Sequence, residues 1–222
     1  MSLFRPEKTS LISAIGRKRN RRKARFFIVK RDGLLKFVDI KLCKNKMAAD
    51  KITTFDVLIE IPRGSRNKYE YDFDIKRIRF DRMLFSSMMY PADYGFFPET
   101  LALDGDPLDV LVLINEPTFP GCVMEVKPIG VFHMADDKGS DDKIICVPVS
   151  DPIWNSLNNL SDINKHLLKE IEHFFQVYKD LENKVVDVEG WGDAAEAFSI
   201  IQECTVRFDQ IPNKPEGLFS IK

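Results

Sequence analysis

Three carboxylates, those of Asp104, Asp106 and Asp109, lie within six residues, directly before the apolar run 110–114. A glycine and a proline between them disfavour a regular helix, and the apolar run is typical of a buried strand. Carboxylates held together against a rigid strand repel one another unless cations lie between their oxygens. Such oxygen donors suit Mg²⁺, Mn²⁺ or Ca²⁺ rather than zinc. The stretch is a candidate metal site, and a solvated acidic turn is the alternative.

A second acidic cluster, over residues 136–143, leads into the apolar run 144–149 in the same manner. Two acidic loops that each precede a strand are predicted to face one another across a barrel mouth and to share cations. Taken alone as a hairpin loop, this second segment is typical of solvated charge, and its resemblance to the first cluster is what favours a shared cation site. An EF-hand is excluded, because its loop requires Gly at the sixth position and Glu at the twelfth, where this chain has Asp109 and Asn115.

The elements that must position these loops are mostly short strands, recognised by alternation of apolar and polar residues. Residues 69–75 and 78–80 are predicted to form a hairpin, in which Lys68 and Glu70 share one strand face. Pro128 indicates a bulge or an edge within its strand. The further predicted strands are 57–61, 110–114, 123–132, 144–149 and 185–189.

Two helices are predicted late in the chain. Apolar residues recur every three or four positions over 162–182, which is typical of an amphipathic helix. A second helix is predicted over 193–206. His166 and His173 lie on or near the first helix, and we interpret both as structural or solvent-facing side chains rather than metal ligands.

Charge divides the chain into two parts. Residues 1–46 hold 15 Lys and Arg against 3 acids, whereas residues 47–222 hold 18 against 31, so the net charges are +12 and −13. A block of like charge is expected to remain solvated, and we expect residues 1–46 to be an appendage outside the fold. Three origins stay open: an organellar transit peptide, a nucleic-acid-binding arm, or sequence upstream of a true start at Met47.

Cysteine usage and motif content exclude several classes. The four cysteines show no C-x-x-C pairing and no histidine at ligand spacing, so neither a zinc site nor a dense disulfide framework is supported. A reducing compartment is therefore expected. The sequence contains no run of eighteen apolar residues that would predict a membrane span, and neither common nucleotide-binding glycine loop.

The remaining polar residues with chemical potential form two sets. Carboxylates that gather divalent cations beside Lys, Arg and Tyr donors describe a site for a compact polyanion, such as a phosphate ester or anhydride. The corresponding chemistry is metal-assisted phosphoryl transfer to water. The anionic set is Glu60, Glu70, Asp104, Asp106, Asp109, Asp136 and Asp141; the cationic and phenolic set is Lys68, Arg82, Tyr90, Tyr94, Lys143, Tyr178 and Lys179.

Residues 104–110 read D-G-D-P-L-D-V and resemble the signature of the soluble class I inorganic pyrophosphatases. The resemblance covers residues 55–205 and implies an α+β, mainly β fold, a distorted five-stranded OB-like antiparallel barrel flanked by two principal α-helices. It also implies hydrolysis of pyrophosphate to two orthophosphates by direct attack of a metal-activated water. The other blocks that resemble the family, in the same order, are 59–62, 68–70, 81–82, 90–95, 173–182 and 189–191.

The resemblance also assigns roles to the acids. Asp106 would be the general base, and Asp109 would bridge the two activating metals. Several Mg²⁺ ions per site are implied, with Mn²⁺ or Zn²⁺ as substitutes and Ca²⁺ as an inhibitor. Glu60 would act mostly on groups around the metals. The implied metal-binding residues are Asp104, Asp109, Asp136, Asp141, Glu70 and Glu60.

For the substrate, the resemblance implies that the two phosphates are held by cationic and phenolic side chains. Tyr90 and Asp137 would support these groups without contacting metal or substrate. Asp137 departs from the family pattern, because many bacterial-type relatives carry Glu there. The implied substrate-binding residues are Lys68, Arg82, Tyr94, Lys143, Tyr178 and Lys179.

The predicted organisation is an extension over 1–46, a pyrophosphatase domain over 47–209 and an irregular C-terminal tail over 210–222. The 176 residues from Met47 onward match the compact bacterial type in length, which implies a homo-hexamer. A cytoplasmic location is expected, or an organellar one if residues 1–46 are a transit peptide. No membrane partner is expected, and no nucleic-acid partner for the body.

The sequence also leaves two other functional classes to consider. A barrel with a basic arm could bind single-stranded nucleic acid, but the acidic body lacks a basic stripe of stacking aromatic residues. A catalytically silent, metal-binding homologue is the second alternative. All the matched chemical positions are filled, which argues against it.

Overall fold

The structure, a computed structural model, describes residues 53–137 and 139–221, together with the backbone of residues 26–29 and 35–38. The chain divides into two compact units, residues 1–51 and 52–222. In the first unit, strands β1 (Phe26–Val29) and β2 (Leu35–Val38) pair in antiparallel fashion. The rest of the predicted extension, 1–46, lies outside the described residues.

The second unit is mainly β, as predicted, with two α-helices near its end. No helix in the described ranges is long and apolar enough to cross a membrane. Its strands and α-helices are β3 (Phe55–Ile61), β4 (Asn67–Asp72), β5 (Arg77–Met83), β6 (Asp93–Phe96), β7 (Asp109–Val112), β8 (Val123–Asp136), β9 (Gly139–Ser140), β10 (Lys143–Pro148), α1 (Lys165–Val177), β11 (Asp187–Asp193) and α2 (Ala194–Asp209).

Five strands close into a ring in the order β3, β6, β7, β10 and β8, with β8 returning to β3. The predicted five-stranded OB-like barrel is therefore confirmed. One pairing, β7 with β10, is parallel, and the other four are antiparallel. Strand direction cannot alternate all the way around a ring with an odd number of strands, so one parallel pair is unavoidable.

The parallel pair determines where the two acidic loops lie. Parallel strands have their amino ends at the same edge of a sheet, and here Asp109 lies opposite Lys143 at the starts of β7 and β10. The segments that precede these two strands are the two acidic clusters. They are therefore adjacent at one end of the barrel, as the sequence predicted.

Strand β8 holds the barrel together because it pairs with several strands in succession. Over its 14 residues it pairs with β3, then with β10, and then with β11. The register shifts between Ile145 and Cys146, which lie opposite Gly130 and Pro128. The predicted irregularity at Pro128 is thus a bulge inside the sheet, where a residue without an N–H group is tolerated.

The helices cover the barrel with the apolar faces that their periodicity predicted. Helix α1 buries Ile171, Phe174 and Phe175, and α2 buries four residues on one face. The ends of both helices differ from the predicted ends. The segments 160–162 and 180–182 are 3₁₀ turns, so α1 is shorter than 162–182, whereas α2 continues three residues beyond 206. Apolar spacing does not distinguish a final 3₁₀ turn from a helix.

Closure of the barrel leaves no room for a side chain at Gly95 of β6. A Cβ atom there would lie 1.9 Å from the carbonyl oxygen of Leu58 on β3. Gly95→Ala is therefore expected to lower the free energy of unfolding by about 3 kcal/mol, because backbone must move. At Gly130 the obstructing atoms belong to the movable side chain of Leu160, so Gly130→Ala should cost about 1 kcal/mol. Urea denaturation of both variants checks the order, and equal costs would contradict it.

The proposed independence of residues 1–46 is tested by removing them. The second unit contains every residue to which the resemblance assigns a chemical role, and the unit boundary falls at residues 51 and 52. A chain that begins at Met47 is expected to fold and to hydrolyse pyrophosphate like the full chain. Thermal unfolding and phosphate release check this. Insolubility of the shortened chain, or loss of most of its activity, would place the segment inside the fold.

Candidate active site

A cleft of about 530 Å³ lies at the barrel end where the acidic loops meet. It brings together every predicted catalytic, metal-binding and substrate-binding residue. Tyr90 does not line it; its ring is buried behind the cleft and packs against Tyr94 and Phe174, with ring centroids 5.4 and 4.9 Å away. The predicted residues that line the cleft are Glu60, Lys68, Glu70, Arg82, Tyr94, Asp104, Asp106, Asp109, Asp136, Asp137, Asp141, Lys143, Tyr178 and Lys179.

The first acidic loop is fixed by hydrogen bonds within itself. The Asp104 carboxylate accepts from the backbone N–H of Asp106 at 3.1 Å, and the Asp106 carbonyl accepts from the Ala102 N–H at 2.8 Å. Gly105 between them has φ +95°, a conformation that favours glycine. The loop is thereby held in one conformation, with its carboxylates lining the cleft.

Lys143 links the two acidic loops. Its ammonium, on a side chain only 2% exposed, donates to both Asp109 and Asp141. Burial acts to lower the pKa of Lys143, but these two carboxylates raise it above its ordinary value, so the group stays charged. Burial raises the pKa of Asp109 to about 6, against the opposing effect of Lys143. The Tyr94 hydroxyl also donates to Asp109, at 2.6 Å.

The β4–β5 hairpin forms a second side of the cleft. Lys68 and Glu70 form an ion pair, which confirms that they share a face, and Lys68 also lies 3.4 Å from Asp81. On β3, Glu60 accepts the backbone N–H of Tyr71 at 2.6 Å. Burial raises the pKa of Glu60 to about 8, although the hydrogen bond opposes this.

The residues that follow α1 form a third side. The Lys179 ammonium lies 3.0 Å from Asp136 of the second acidic segment. Tyr178 stacks on Phe174 with ring centroids 5.1 Å apart, and burial raises the pKa of its hydroxyl, which remains a hydrogen-bond donor. His166 and His173 do not line the cleft, in agreement with their predicted role. Lys138, inside the predicted second cluster, lies outside the described residues.

Several lining residues were not predicted. Lys184 follows a left-handed residue, Asn183, with φ 54°, and its charge close after Tyr178 and Lys179 was a usable signal. Phe219 of the irregular tail reaches the cleft because its carbonyl accepts the Glu99 N–H at 3.0 Å and its ring packs on the hairpin turn. Nothing in the local sequence predicted that contact. The unpredicted lining residues are Tyr71, Phe73, Phe96, Pro107, Lys184 and Phe219.

The donor chemistry of the cleft fits a hard divalent cation. Carboxylates are its acidic ligand candidates, and neither histidine nor cysteine lines it. The ammonium of Lys143 between Asp109 and Asp141 shows that positive charge is stabilised there. Within the described ranges, the acids do not yet converge as a group of three or more around a common point.

Comparisons with known proteins agree on one family. The family model for inorganic pyrophosphatase matches residues 57–209. The chain is 62% identical over 154 residues to an inorganic pyrophosphatase of Methanosarcina mazei, covering 69% of this chain and 91% of that protein. It is 57% identical over 152 residues to one of Leifsonia xyli, covering 68% and 93%. The crystal structure of inorganic pyrophosphatase from Thermus thermophilus superimposes with a TM-score of 0.69 at 44% identity, over 70% of this chain and 91% of that one.

Proposed function

Because the chain belongs to the inorganic pyrophosphatase family, whose members hydrolyse pyrophosphate to two orthophosphates, we propose that it does so in the cleft at the barrel mouth, with Mg²⁺ as its metal and direct attack by water. One observation carries the proposal. The parallel β7–β10 pair holds Asp109 and Lys143 side by side, which joins two acidic loops into a single site that also contains cationic and phenolic donors. A compact, highly charged phosphate anhydride fits that arrangement.

The carboxylates hold the metal ions, and one further carboxylate, that of Asp106, acts on the attacking water. Bound divalent cations supply the positive charge that lets a water molecule ionise near neutral pH. Asp106 accepts the proton of the attacking water, and its backbone hydrogen bond to the Asp104 side chain keeps it in the loop conformation described above. Glu60 supports neighbouring groups through Tyr71. The proposed metal-binding residues are Asp104, Asp109, Asp136, Asp141, Glu70 and Glu60.

The cationic and phenolic residues bind the two phosphates. Burial raises the pKa of Tyr94 well above its ordinary value, so its hydroxyl keeps the proton that it donates in a hydrogen bond. Charge-assisted bonds from lysine and arginine neutralise the phosphate oxygens, including those of the leaving phosphate. The proposed substrate-binding residues are Lys68, Arg82, Tyr94, Lys143, Tyr178 and Lys179.

We also propose a homo-hexamer located in the cytoplasm. The chain from Met47 onward has the length of the compact bacterial type, to which the resemblance assigns six subunits. Light scattering of the full chain during size-exclusion chromatography checks the subunit number, and a monomer would contradict it. An organellar location remains the alternative if residues 1–46 are a transit peptide.

The step proposed here, direct attack by water, is tested by acid quenching. A single turnover of the full chain with radiolabelled pyrophosphate and Mg²⁺ is stopped in acid, which preserves acyl phosphates, and the precipitated protein is counted. Direct attack leaves the protein unlabelled while labelled orthophosphate accumulates. Label on the protein that appears and decays during the turnover would make a carboxylate the nucleophile and overturn the proposed step.

A further inference from the structure

The guanidinium of Arg82 is held along one edge by a single buried carboxylate, that of Glu182. The Arg82 Nε–Glu182 Oε1 distance is 3.1 Å, and the Nη2–Oε2 distance is 2.8 Å. The Glu182 side chain is only 7% exposed, whereas that of Arg82 is 26% exposed toward the cleft. Two parallel charge-assisted bonds fix the plane of a guanidinium as well as its position.

Glu182 is itself held in place by the chain around it. It ends the 3₁₀ turn Asp180–Glu182, and its N–H donates to the Lys179 carbonyl at 2.9 Å. Asn183 then adopts a left-handed conformation, φ 54°, which turns the chain away. The segment that delivers Tyr178 and Lys179 to the cleft therefore also delivers Glu182 to the far edge of Arg82. The two partners are 100 residues apart in sequence.

Arg82 lines the cleft and, among the described residues, donates three hydrogen bonds to carboxylates, whereas a guanidinium can make more. A guanidinium has five N–H groups. Glu182 accepts two of them, and Asp81 accepts one from Nη1. The donors that remain are one N–H of Nη1 and one N–H of Nη2. They are the ones that a phosphate oxygen in the cleft would meet.

We propose that Glu182 is a positioning residue for pyrophosphate, which acts by fixing the plane of Arg82 so that its remaining N–H groups face a phosphate. The proposal rests on the proposed function, in which Arg82 binds a phosphate. An arginine without this partner would have to lose its rotamer freedom when the substrate binds, and affinity would fall. With Glu182 as its partner, the Arg82 side chain is already ordered in the free enzyme, before the substrate binds.

The sign of the effect separates this role from simple electrostatics. Glu182 is an anion near a site for a polyanion, so Coulomb repulsion alone predicts that its neutralisation strengthens pyrophosphate binding. Positioning predicts the opposite, because Glu182→Gln keeps the size of the side chain but retains only one acceptor oxygen and no charge. We expect the orientation of Arg82 by this short, paired contact to affect pyrophosphate binding more than the repulsion between Glu182 and the substrate, which acts across the full width of the guanidinium.

The test is a double-mutant cycle on the full chain with Mg²⁺ and pyrophosphate. Glu182→Gln is expected to lower kcat/KM about tenfold, mainly through KM, because the contact is present before and during the reaction. In an Arg82→Ala background, the same substitution is expected to change kcat/KM by less than about twofold, since there is no longer a side chain to position. Asp180→Asn removes a charge from the same turn at an exposed position, and it is the matched control, expected to behave as wild type.

A second readout does not depend on turnover. Calorimetric binding of imidodiphosphate, which has a nitrogen bridge in place of the hydrolysed oxygen, should weaken about tenfold in Glu182→Gln and show the same dependence on Arg82. If Glu182→Gln does not fold, Glu182→Asp, which keeps the charge but is one methylene shorter, should show a smaller loss in the same direction.

Several results would overturn the role of Glu182: tighter or unchanged binding in Glu182→Gln, or a tenfold loss that persists without Arg82. A wild-type chain that binds imidodiphosphate but does not hydrolyse pyrophosphate would instead contradict the proposed function. The binding cycle would still decide the role of Glu182 in that case.

Discussion

Replacement of Asp106 by asparagine is expected to lower kcat for pyrophosphate hydrolysis by about two to four orders of magnitude. The amide has nearly the same shape as the carboxylate but cannot accept the proton of the attacking water. The backbone N–H of Asp106, which donates to Asp104 at 3.1 Å, is unchanged by the substitution, so the loop should keep its conformation. Steady-state phosphate release with Mg²⁺ at neutral pH measures the loss.

Two controls isolate the proton transfer. Thermal unfolding and calorimetric Mg²⁺ binding of Asp106→Asn should remain close to wild type, because Asp106 is not among the proposed metal-binding residues. Asp180→Asn, the same chemical change at an exposed position, should leave kcat unchanged. An Asp106→Asn enzyme that turns over at nearly the wild-type rate would remove Asp106 from the role of general base.

Calcium as the only divalent ion is expected to support less than about one hundredth of the Mg²⁺ rate, although it binds to the same carboxylates. Mg²⁺ requires near-ideal octahedral geometry, whereas Ca²⁺ takes more ligands in a looser and larger shell. A water in that looser shell is oriented less rigidly toward Asp106 and ionises less readily. Phosphate release is measured in chelator-treated protein after each ion is added back.

Competition distinguishes unproductive binding from absence of binding. Addition of Ca²⁺ to the Mg²⁺-loaded enzyme should inhibit it, and excess Mg²⁺ should restore the rate. Mn²⁺, which has similar octahedral preferences, serves as the matched positive control and should support turnover. Full activity with Ca²⁺ alone would contradict the proposed oxygen-ligand site and its demand for rigid geometry.

The sequence predicted the parts of the site that depend on local pattern. Acidic residues at Asp104 to Asp109 directly before an apolar run fix a loop to the start of a strand, and the cluster from Asp136 onward repeats that pattern. Alternation placed Lys68 and Glu70 on one face, which the ion pair confirms. These signals extend over fewer than ten residues, so a single sequence contains them in full.

The pairing partners of the strands could not be predicted from such local patterns. The sequence predicted four of the barrel strands, β3, β7, β8 and β10, but not β6. A closed ring of five strands requires a parallel pair, and only the structure shows that this pair is β7 with β10. Hydrogen bonds between strands are made by backbone, which carries little sequence information about its partner. The parallel pair, which joins Asp109 to Lys143, is nevertheless what unites the two acidic loops.

Contacts between segments that are distant in sequence could not be predicted either. The Arg82–Glu182 pair spans 100 residues, and Phe219 reaches the cleft from a tail without helix or strand. Each depends on the complete packing of the barrel, α1 and the tail. Apolar periodicity likewise located α1 but not its ends. The helix begins after Asn164, whose side chain accepts the His166 N–H, and 3₁₀ turns lie before and after it, so hydrogen bonds set both ends.

Hydrolysis of pyrophosphate in this cleft is measured directly by phosphate release from the purified full chain with pyrophosphate and Mg²⁺. We expect two orthophosphates per pyrophosphate consumed, with release abolished by chelation and restored by Mg²⁺. The Asp106→Asn chain, purified in parallel, excludes a contaminating enzyme because it should be nearly inactive. A folded full chain that binds Mg²⁺ and releases no phosphate from pyrophosphate would show that the cleft does not perform this hydrolysis.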